Sequence, residues 1–211
     1  IALAVVLMGT MATPITWSVA HEWLGMALIA LSIAHVAAAR RRVPALVRQR
    51  SVGAVAALAL DLSLLVCLVG LGGSAVVLSK HVLAWLPPFA GAMRAREVHM
   101  ACSYWLFALA AVHAGLHGGG RLTRLVGRCA PGGKGRFAIA GVCLLFAAFG
   151  AWSFVSLGIG SYLLGIVRFA QAVGSVPLAF LFAEYLASFA LVAFLAAGLK
   201  ALAARKSFSR K

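Results

Sequence analysis

Acidic residues are scarce in this chain. Only four of its 211 residues are Asp or Glu, and charged residues of both signs make up 11% of the sequence, against 64% hydrophobic residues. A soluble domain has about 25% charged residues, so this composition argues against an ordinary soluble protein. Several segments supply the roughly 20 apolar residues that a membrane span needs. We therefore predict an integral membrane protein, with an unusually apolar soluble bundle as the alternative.

Cysteine motifs and ligand-binding loops are also missing. The four cysteines have no CxxC spacing, and the sequence has no CxxCH motif, so neither a disulfide framework nor covalent c-type haem attachment is expected. Glycine-rich phosphate loops and nucleic-acid-binding motifs are absent as well. The net charge of +15 therefore does not indicate a nucleic-acid partner, although a basic soluble domain would.

Apolar segments alternate with short polar connections along the whole sequence. Glycine, proline and charged residues mark the boundaries, which predict six spans at residues 1–14, 18–39, 52–78, 97–118, 137–156 and 177–204. Residues 119–136 are predicted as a glycine-rich basic loop, and residues 157–176 as a loop with a short interfacial helix. The predicted fold class is an all-α integral membrane helix bundle of about six transmembrane helices, in a single domain over residues 1–211.

The basic residues are distributed unevenly among the connections. Residues 40–50, residues 119–136 and the end from Lys200 onward hold five each, and the other connections hold four in total. Six alternating spans place the three rich segments on one side of the membrane, which the positive-inside rule assigns to the cytoplasm. We expect a multi-pass protein of the cytoplasmic membrane, in contact with lipid, whose basic loops and C-terminus are cytoplasmic.

Two pairs of histidines share one spacing. His21 and His35 are fourteen residues apart, and so are His99 and His113. Fourteen residues of α-helix rise about 21 Å and complete nearly four turns, so both imidazoles of a pair return to one helix face. In the predicted topology the second and fourth helices run in the same direction. This pairs His21 with His99 near the outer face, and His35 with His113 toward the cytoplasm.

Facing imidazoles at two depths have the arrangement that two bis-histidine haems require. The sequence predicts two non-covalent haem b groups between the second and fourth helices, with His21, His99, His35 and His113 as iron ligands. Nearby arginines are candidate partners for the propionates: Arg94 and Arg96 for the outer haem, and Arg40, Arg41, Arg121 and Arg124 for the inner one. The alternative is that each histidine only hydrogen-bonds to a neighbouring helix; the repeated spacing favours haem.

His117 is an alternative inner ligand. It follows His113 by four residues on the same helix face, and it lies eighteen residues from His99. We prefer His113 because its spacing matches that of the other helix. His117 would then be a partner for a propionate, and the HxxxH spacing also suits direct binding of zinc or iron.

The remaining ionisable residues of interest are few. Asp61 lies inside the third span, where a charge is costly and often functional; it is either an acceptor for a ligand histidine, part of a proton or quinone path, or a paired structural acid. Glu22 and Glu97 are expected to be solvated at the outer membrane edge. Glu184 has no partner that the sequence identifies, and His81 is expected in a solvated outer loop.

The segments around the histidines resemble a known family. The stretches HEWLGMALIALSIAHVAAARR (21–41) and AREVHMACSYWLFALAAVHAGLHG (95–118) are similar to the bacterial DUF4405 family, which is related to cytochrome b561-like proteins and to the cytochrome b subunits of hydrogenases and formate dehydrogenases. The resemblance covers roughly residues 1–120, the expected di-haem core; residues 121–211 would be a basic loop and two further helices. It implies a di-haem cytochrome b of the bacterial cytoplasmic membrane that works beside other redox proteins.

Together these features favour a subunit that conducts electrons across the membrane. The expected donors and acceptors are other redox subunits of an oxidoreductase complex and a quinone, either menaquinone or ubiquinone. Bis-histidine iron has no open position, so we do not expect the chain to catalyse a net reaction alone. Two other classes stay open: a proton- or metal-ion transporter that uses the membrane histidines and Asp61, and a cofactor-free membrane anchor subunit.

The charge distribution predicts the sidedness of the loops. A cysteine placed at Leu125, beside Arg124, should not react with a membrane-impermeant maleimide added to intact spheroplasts, and should react after permeabilisation. A cysteine at Lys80, in a predicted outer loop, is the control and should react in both preparations. Efficient labelling at position 125 from outside would reverse the topology and the pairing by depth that depends on it.

Overall fold

All the regular structure in the described part of the chain is helical. The computed structural model describes residues 2–13, 18–49, 51–87, 89–129, 133–170 and 176–208. Its α-helices are α1 (Ala2–Ala12), α2 (Ser18–Ala39), α3 (Val43–Gln49), α4 (Val52–Leu78), α5 (Ala92–Cys129), α6 (Gly133–Ser156), α7 (Ile159–Leu163) and α8 (Leu178–Phe208). The prediction of an all-α fold is confirmed for these residues.

Four of these helices are long and apolar enough to cross a membrane. They are Ser18–Ala39, Val52–Leu78, the Ala92–Gly119 part of α5 and the Leu178–Ala203 part of α8. Helix α1 and the apolar Gly141–Ser156 part of α6 are shorter. Large apolar side chains such as Val66 of α4 (63% exposed) and Leu144 of α6 (72% exposed) face outward, as lipid-facing residues do. These helices are compatible with a multi-pass membrane protein; the count of six spans and the placement of haem stay predictions.

The connection between α2 and α4 is more ordered than the sequence suggests. Residues Arg40–Arg42 form a 3-10 turn that leads directly into α3. Pro44 lies in the first turn of α3, where a helix needs no backbone N–H donor, so proline is tolerated there. Ser51 then begins α4, because its side-chain oxygen accepts a hydrogen bond from the Ala54 N–H at 3.2 Å.

The chain divides into two compact units. Unit 1 comprises residues 1–109 and 160–182, and unit 2 comprises residues 110–159 and 183–211. In unit 1 the helices α4 and α5 approach closely at Gly70, where an added Cβ would lie 2.7 Å from the Cys102 Sγ. Gly70 and Ser74 are four residues apart on one face of α4. Such pairs of small residues allow close helix packing in membranes.

Small residues also form the helix contacts within unit 2. A Cβ at Gly115 of α5 would overlap the backbone carbonyl of Ala193 in α8, and one at Gly119 would lie 2.7 Å from the Ala197 Cβ. On α6, a Cβ at Gly150 would lie 2.5 Å from the Ala187 carbonyl oxygen. Helix α8 therefore packs with nearly direct backbone contact against both α5 and α6.

The predicted end of the fourth helix was wrong. Gly118, Gly119 and Gly120 were expected to stop it before a loop over residues 119–136, but α5 continues to Cys129 and α6 begins at Gly133. A glycine inside a helix costs only about 1 kcal/mol relative to alanine. The close contact of Gly119 with α8 offsets this cost, so the glycine has a packing role here. The short helix expected within residues 157–176 is present as α7.

Glu184 has a partner that the sequence did not identify. Its side chain is 5% exposed within unit 2, and the Ser156 Oγ lies 3.1 Å from its Oε1. Ser188, which is fully buried one turn further along α8, donates to the Gly150 carbonyl at 3.4 Å. Polar contacts between α6 and α8 thus accompany the small-residue packing of these helices.

The packing of α5 on α8 predicts opposite effects for two neighbouring glycines. Gly115→Ala should lower the free energy of unfolding by about 1–3 kcal/mol, because the methyl group must push α8 away. Gly118→Ala is the matched control, since a Cβ there meets nothing within 4 Å; it should leave stability unchanged or raise it by up to about 1 kcal/mol. Denaturant unfolding in mild detergent measures both, and equal stabilities would contradict the packing.

Candidate functional site

Unit 1 brings His21 and His99 together. Their ring centroids are 6.0 Å apart, and the ring planes are inclined by 57°. His21 lies in the first turns of α2 and His99 lies seven residues after the start of α5; both side chains are half-buried. The predicted proximity of these two histidines is therefore observed.

The Nδ1 atom of His21 is held by the end of α1. It lies 3.0 Å from the backbone carbonyl oxygen of Thr10, and because a carbonyl can only accept, Nδ1 must be the donor. The last four carbonyls of a helix have no partner within it. In the sequence, the proline at position 14, four residues after Thr10, has no N–H to donate. The imidazole of His21 therefore satisfies a carbonyl that the backbone leaves open.

The Nδ1 atom of His99 is held by α4. It lies 3.2 Å from the Ser74 Oγ, and the hydroxyl hydrogen of Ser74 is used in a bond to the Leu71 carbonyl at 2.9 Å. A serine hydroxyl has a single hydrogen to donate. Ser74 therefore accepts from His99, and Nδ1 of His99 also bears the proton. The close approach of α4 and α5 at Gly70, one turn earlier, makes this contact possible.

These two hydrogen bonds determine the tautomer of both imidazole rings. With the proton on Nδ1, each neutral imidazole presents an Nε2 lone pair, which is the form that binds a metal. Metal-binding histidines usually donate their second nitrogen to a carbonyl or a similar acceptor, which orients the ring and raises its basicity. Two imidazoles that share one metal through bonds of about 2 Å have ring centres about 6 Å apart. The 6.0 Å between the ring centroids of His21 and His99 therefore matches the separation of two imidazoles on one metal.

A cavity opens beside His99 within unit 1. Its volume is about 270 Å³, and its lining consists of Leu78, Arg96, His99, Met100, Phe169 and Ala170. The guanidinium of Arg96 is the one charged group of this mainly apolar lining. Pockets that enclose a whole small ligand start at about 300 Å³. The cavity therefore presents one cationic residue beside His99 in an otherwise apolar lining.

The segment that contributes Phe169 to this cavity is anchored at several points. Tyr162 of α7 stacks on Tyr104 of α5 with ring centroids 4.0 Å apart and an interplanar angle of 3°. The Tyr162 hydroxyl donates to the Phe169 carbonyl at 3.3 Å. Arg168 also lies 3.6 Å from Glu97, although exposed ion pairs of this kind contribute little. The stacked tyrosines are thus the main support of the cavity wall.

The remaining predicted site residues lie elsewhere in the chain. His35 and Arg40 are exposed at the end of α2. In unit 2, the rings of His113 and His117 have centroids 4.5 Å apart on one face of α5. Arg121 falls within α5, but its side chain lies outside the described residues, as does that of Arg124. The pairing of His35 with His113 joins residues of different units and stays a prediction.

Sequence reasoning missed both acceptors of the histidine pair. His21 donates to Thr10 and His99 donates to Ser74, while the role of Asp61 as acceptor for another ligand histidine stays a prediction. The absence of an N–H at Pro14 was a usable signal for Thr10. Ser74 was identifiable as the hydroxyl in the small-residue segment 70–74.

Glu22 is partly exposed, and its carboxylate has partners that the sequence did not identify. Its carboxylate accepts hydrogen bonds from residues 79–82, directly after α4. The exposed position expected for His81 is confirmed, and its Nε2 lies 3.2 Å from the Ser18 Oγ.

Comparison with protein-family models, with curated proteins and with solved structures gave no match to the chain. Functional interpretation therefore depends on the site geometry.

The hydrogen bonds predict the tautomers of the two rings. In ¹⁵N solid-state NMR spectra of histidine-labelled protein in bilayers, His21 and His99 should both have a protonated Nδ1. Ser74→Ala should change the His99 tautomer only, because its Nδ1–H loses its acceptor at a cost of about 1–3 kcal/mol. Ser63→Ala, an exposed serine of α4 that donates to the Ala59 carbonyl, is the control. An unchanged His99 signal in Ser74→Ala would contradict the assigned bond.

Proposed function

We propose that the chain is a membrane di-haem b-type cytochrome that conducts electrons across the bacterial cytoplasmic membrane. The observation that supports this proposal most directly is the pair of His21 and His99, whose ring centroids are 6.0 Å apart and whose Nδ1 atoms are both hydrogen-bonded. The resemblance of segments 21–41 and 95–118 to the DUF4405 and cytochrome b561-like families points to the same function.

At the outer site, His21 and His99 would hold the iron of a haem b, and Arg96 in the neighbouring cavity would bind a propionate. A haem with two histidine ligands supplies one-electron redox chemistry without an open position for substrate. The protein orients the ligands through the Thr10 carbonyl and the Ser74 hydroxyl. Both acceptors would raise the basicity of the imidazoles, which would favour the oxidised form of a bound iron.

The inner site would be formed by His35 and His113, with His117 as the alternative second ligand or as a propionate partner. Arg40 follows α2 directly and Arg121 follows His117 by four residues; both would bind propionates there. A second redox centre fourteen residues deeper would shorten the electron-transfer distance across the membrane, since fourteen residues of helix rise about 21 Å.

The physiological partners would be other redox subunits and a quinone. The proposed orientation places residues 40–50, the basic residues after His117 and the C-terminus in the cytoplasm. Electrons would enter and leave at the two membrane faces. The segments at residues 79–96 and 157–176, which lie near the outer site in the predicted topology, would contact the outer partner or the quinone.

This proposal predicts the haem content of the purified protein. Pyridine haemochrome analysis should give a haem-to-protein ratio of about two, with both haems extracted by acidic acetone. His21→Ala and His99→Ala should each remove one haem, and so should His35→Ala and His113→Ala. His81→Ala, in an exposed loop, is the control and should retain both.

Two outcomes would change the assignment. Loss of one haem in His117→Ala, with retention of both in His113→Ala, would make His117 the inner ligand. A folded wild-type protein without haem would exclude a cytochrome and leave a transporter or an anchor subunit. Metal binding, measured by calorimetry with Zn²⁺, would then separate these two.

A further inference from the structure

Glu22 is bound by four donors from one short segment. Its Oε2 accepts from the Ser79 hydroxyl at 2.7 Å, from the Val82 N–H at 2.8 Å and from the His81 N–H at 3.1 Å. Its Oε1 accepts from the Lys80 N–H at 3.0 Å. Successive backbone N–H groups of this kind form an anion-binding concavity, and charge-assisted bonds are about twice as strong as neutral ones.

This carboxylate connects the helices of the two site histidines through α4. Glu22 immediately follows His21 on α2, and its donors immediately follow the end of α4 at Leu78. Further back on α4, Ser74 accepts from the Nδ1 of His99. A continuous path therefore runs from His21 through Glu22 and residues 79–82 to α4, and from Ser74 to His99.

The backbone at both ends of this path is held in a fixed position by helical structure. A helical residue has fixed backbone torsions, so displacement of Glu22 displaces His21 as well. Ser74 lies in the last turns of α4 and Ser79 is the capping residue that follows it, so the position of the 79–82 segment is tied to that of Ser74. The spacing of the two imidazoles thus depends on a bond made by a neighbouring residue that contacts neither ring.

We propose that Glu22 is a positioning residue that sets the distance and the angle between the imidazoles of His21 and His99, and thereby how these two residues would hold a metal or haem iron. This inference rests on the proposed function of the pair. It differs from a purely structural role because the outer redox centre should respond to Glu22 while the inner one should not.

The amide of a glutamine cannot replace the carboxylate. Oε2 accepts three bonds and Oε1 accepts one, and an amide has a single oxygen together with an NH₂ group that can only donate. In Glu22→Gln the NH₂ group must face at least one backbone N–H. The 79–82 segment should then detach from α2, and His21 should lose its fixed orientation toward His99.

Glu22→Gln in the full-length haem-loaded protein tests the proposal. The low-spin electron paramagnetic resonance signal of the outer haem should shift and broaden, since it reports the angle between the axial imidazoles. Transfer of that haem to excess apomyoglobin should be about tenfold faster, as for other outer-shell changes at metal sites. The inner haem should keep its signal and its transfer rate, and so serves as an internal reference.

Two further variants distinguish a positioning role of Glu22 from a general loss of protein stability. Ser79→Ala removes one of the four donors without touching α2, and should change the outer signal in the same direction but less. Glu97→Gln makes the same chemical change at the start of α5, where the acid has one weak ion pair at 3.6 Å, and should leave both haems unchanged. If Glu22→Gln fails to fold, Ser79→Ala provides the decisive measurement.

A wild-type chain without haem would end the proposed function itself. A wild type with two haems, whose outer signal is the same in Glu22→Gln and in Ser79→Ala, would overturn the positioning role alone. Equal changes at both haems would also overturn it, because they would indicate general destabilisation.

Discussion

The hydrogen bonds from the Nδ1 atoms of His21 and His99 constrain the helices around them. A buried N–H needs an acceptor, and leaving it without one costs about 1–3 kcal/mol. The acceptor for His21 lies on α1 and the acceptor for His99 lies on α4. The orientation of two imidazoles is therefore determined by four helices, and a change in the packing of α1 or α4 alters the site without altering a ligand.

Small residues make this arrangement possible in an apolar environment. Lipid tails are as apolar as leucine, so helices in a membrane associate through close packing and hydrogen bonds more than through the hydrophobic effect. In unit 1, Gly70 brings α4 near α5, and the same face places Ser74 beside His99. In unit 2, Gly115 and Gly119 bring α5 into near backbone contact with α8.

Sequence reasoning succeeded where one continuous segment determines the result. The bounds of α2 and α4 follow from apolar runs with clear ends, and the proximity of His21 and His99 follows from spacing and helix direction. It failed where contacts between segments distant in the sequence determine the structure. The helix after His113 continues because α8 accommodates its glycines, and Glu22 finds donors 57 to 60 residues away. Neither contact has a local signature in the sequence.

The two imidazoles differ in what kind of group accepts their protons. His21 donates to a main-chain carbonyl, which every amino acid at position 10 would provide, whereas His99 donates to the side chain of Ser74. A single substitution at position 74 can therefore remove or replace the acceptor of His99. Removal of the acceptor of His21 would require a change in the backbone at the end of α1. In any descendant of this chain, substitutions at position 74 of α4 would change the basicity of His99. The basicity of His21 would stay constant, because its acceptor is a main-chain carbonyl of α1.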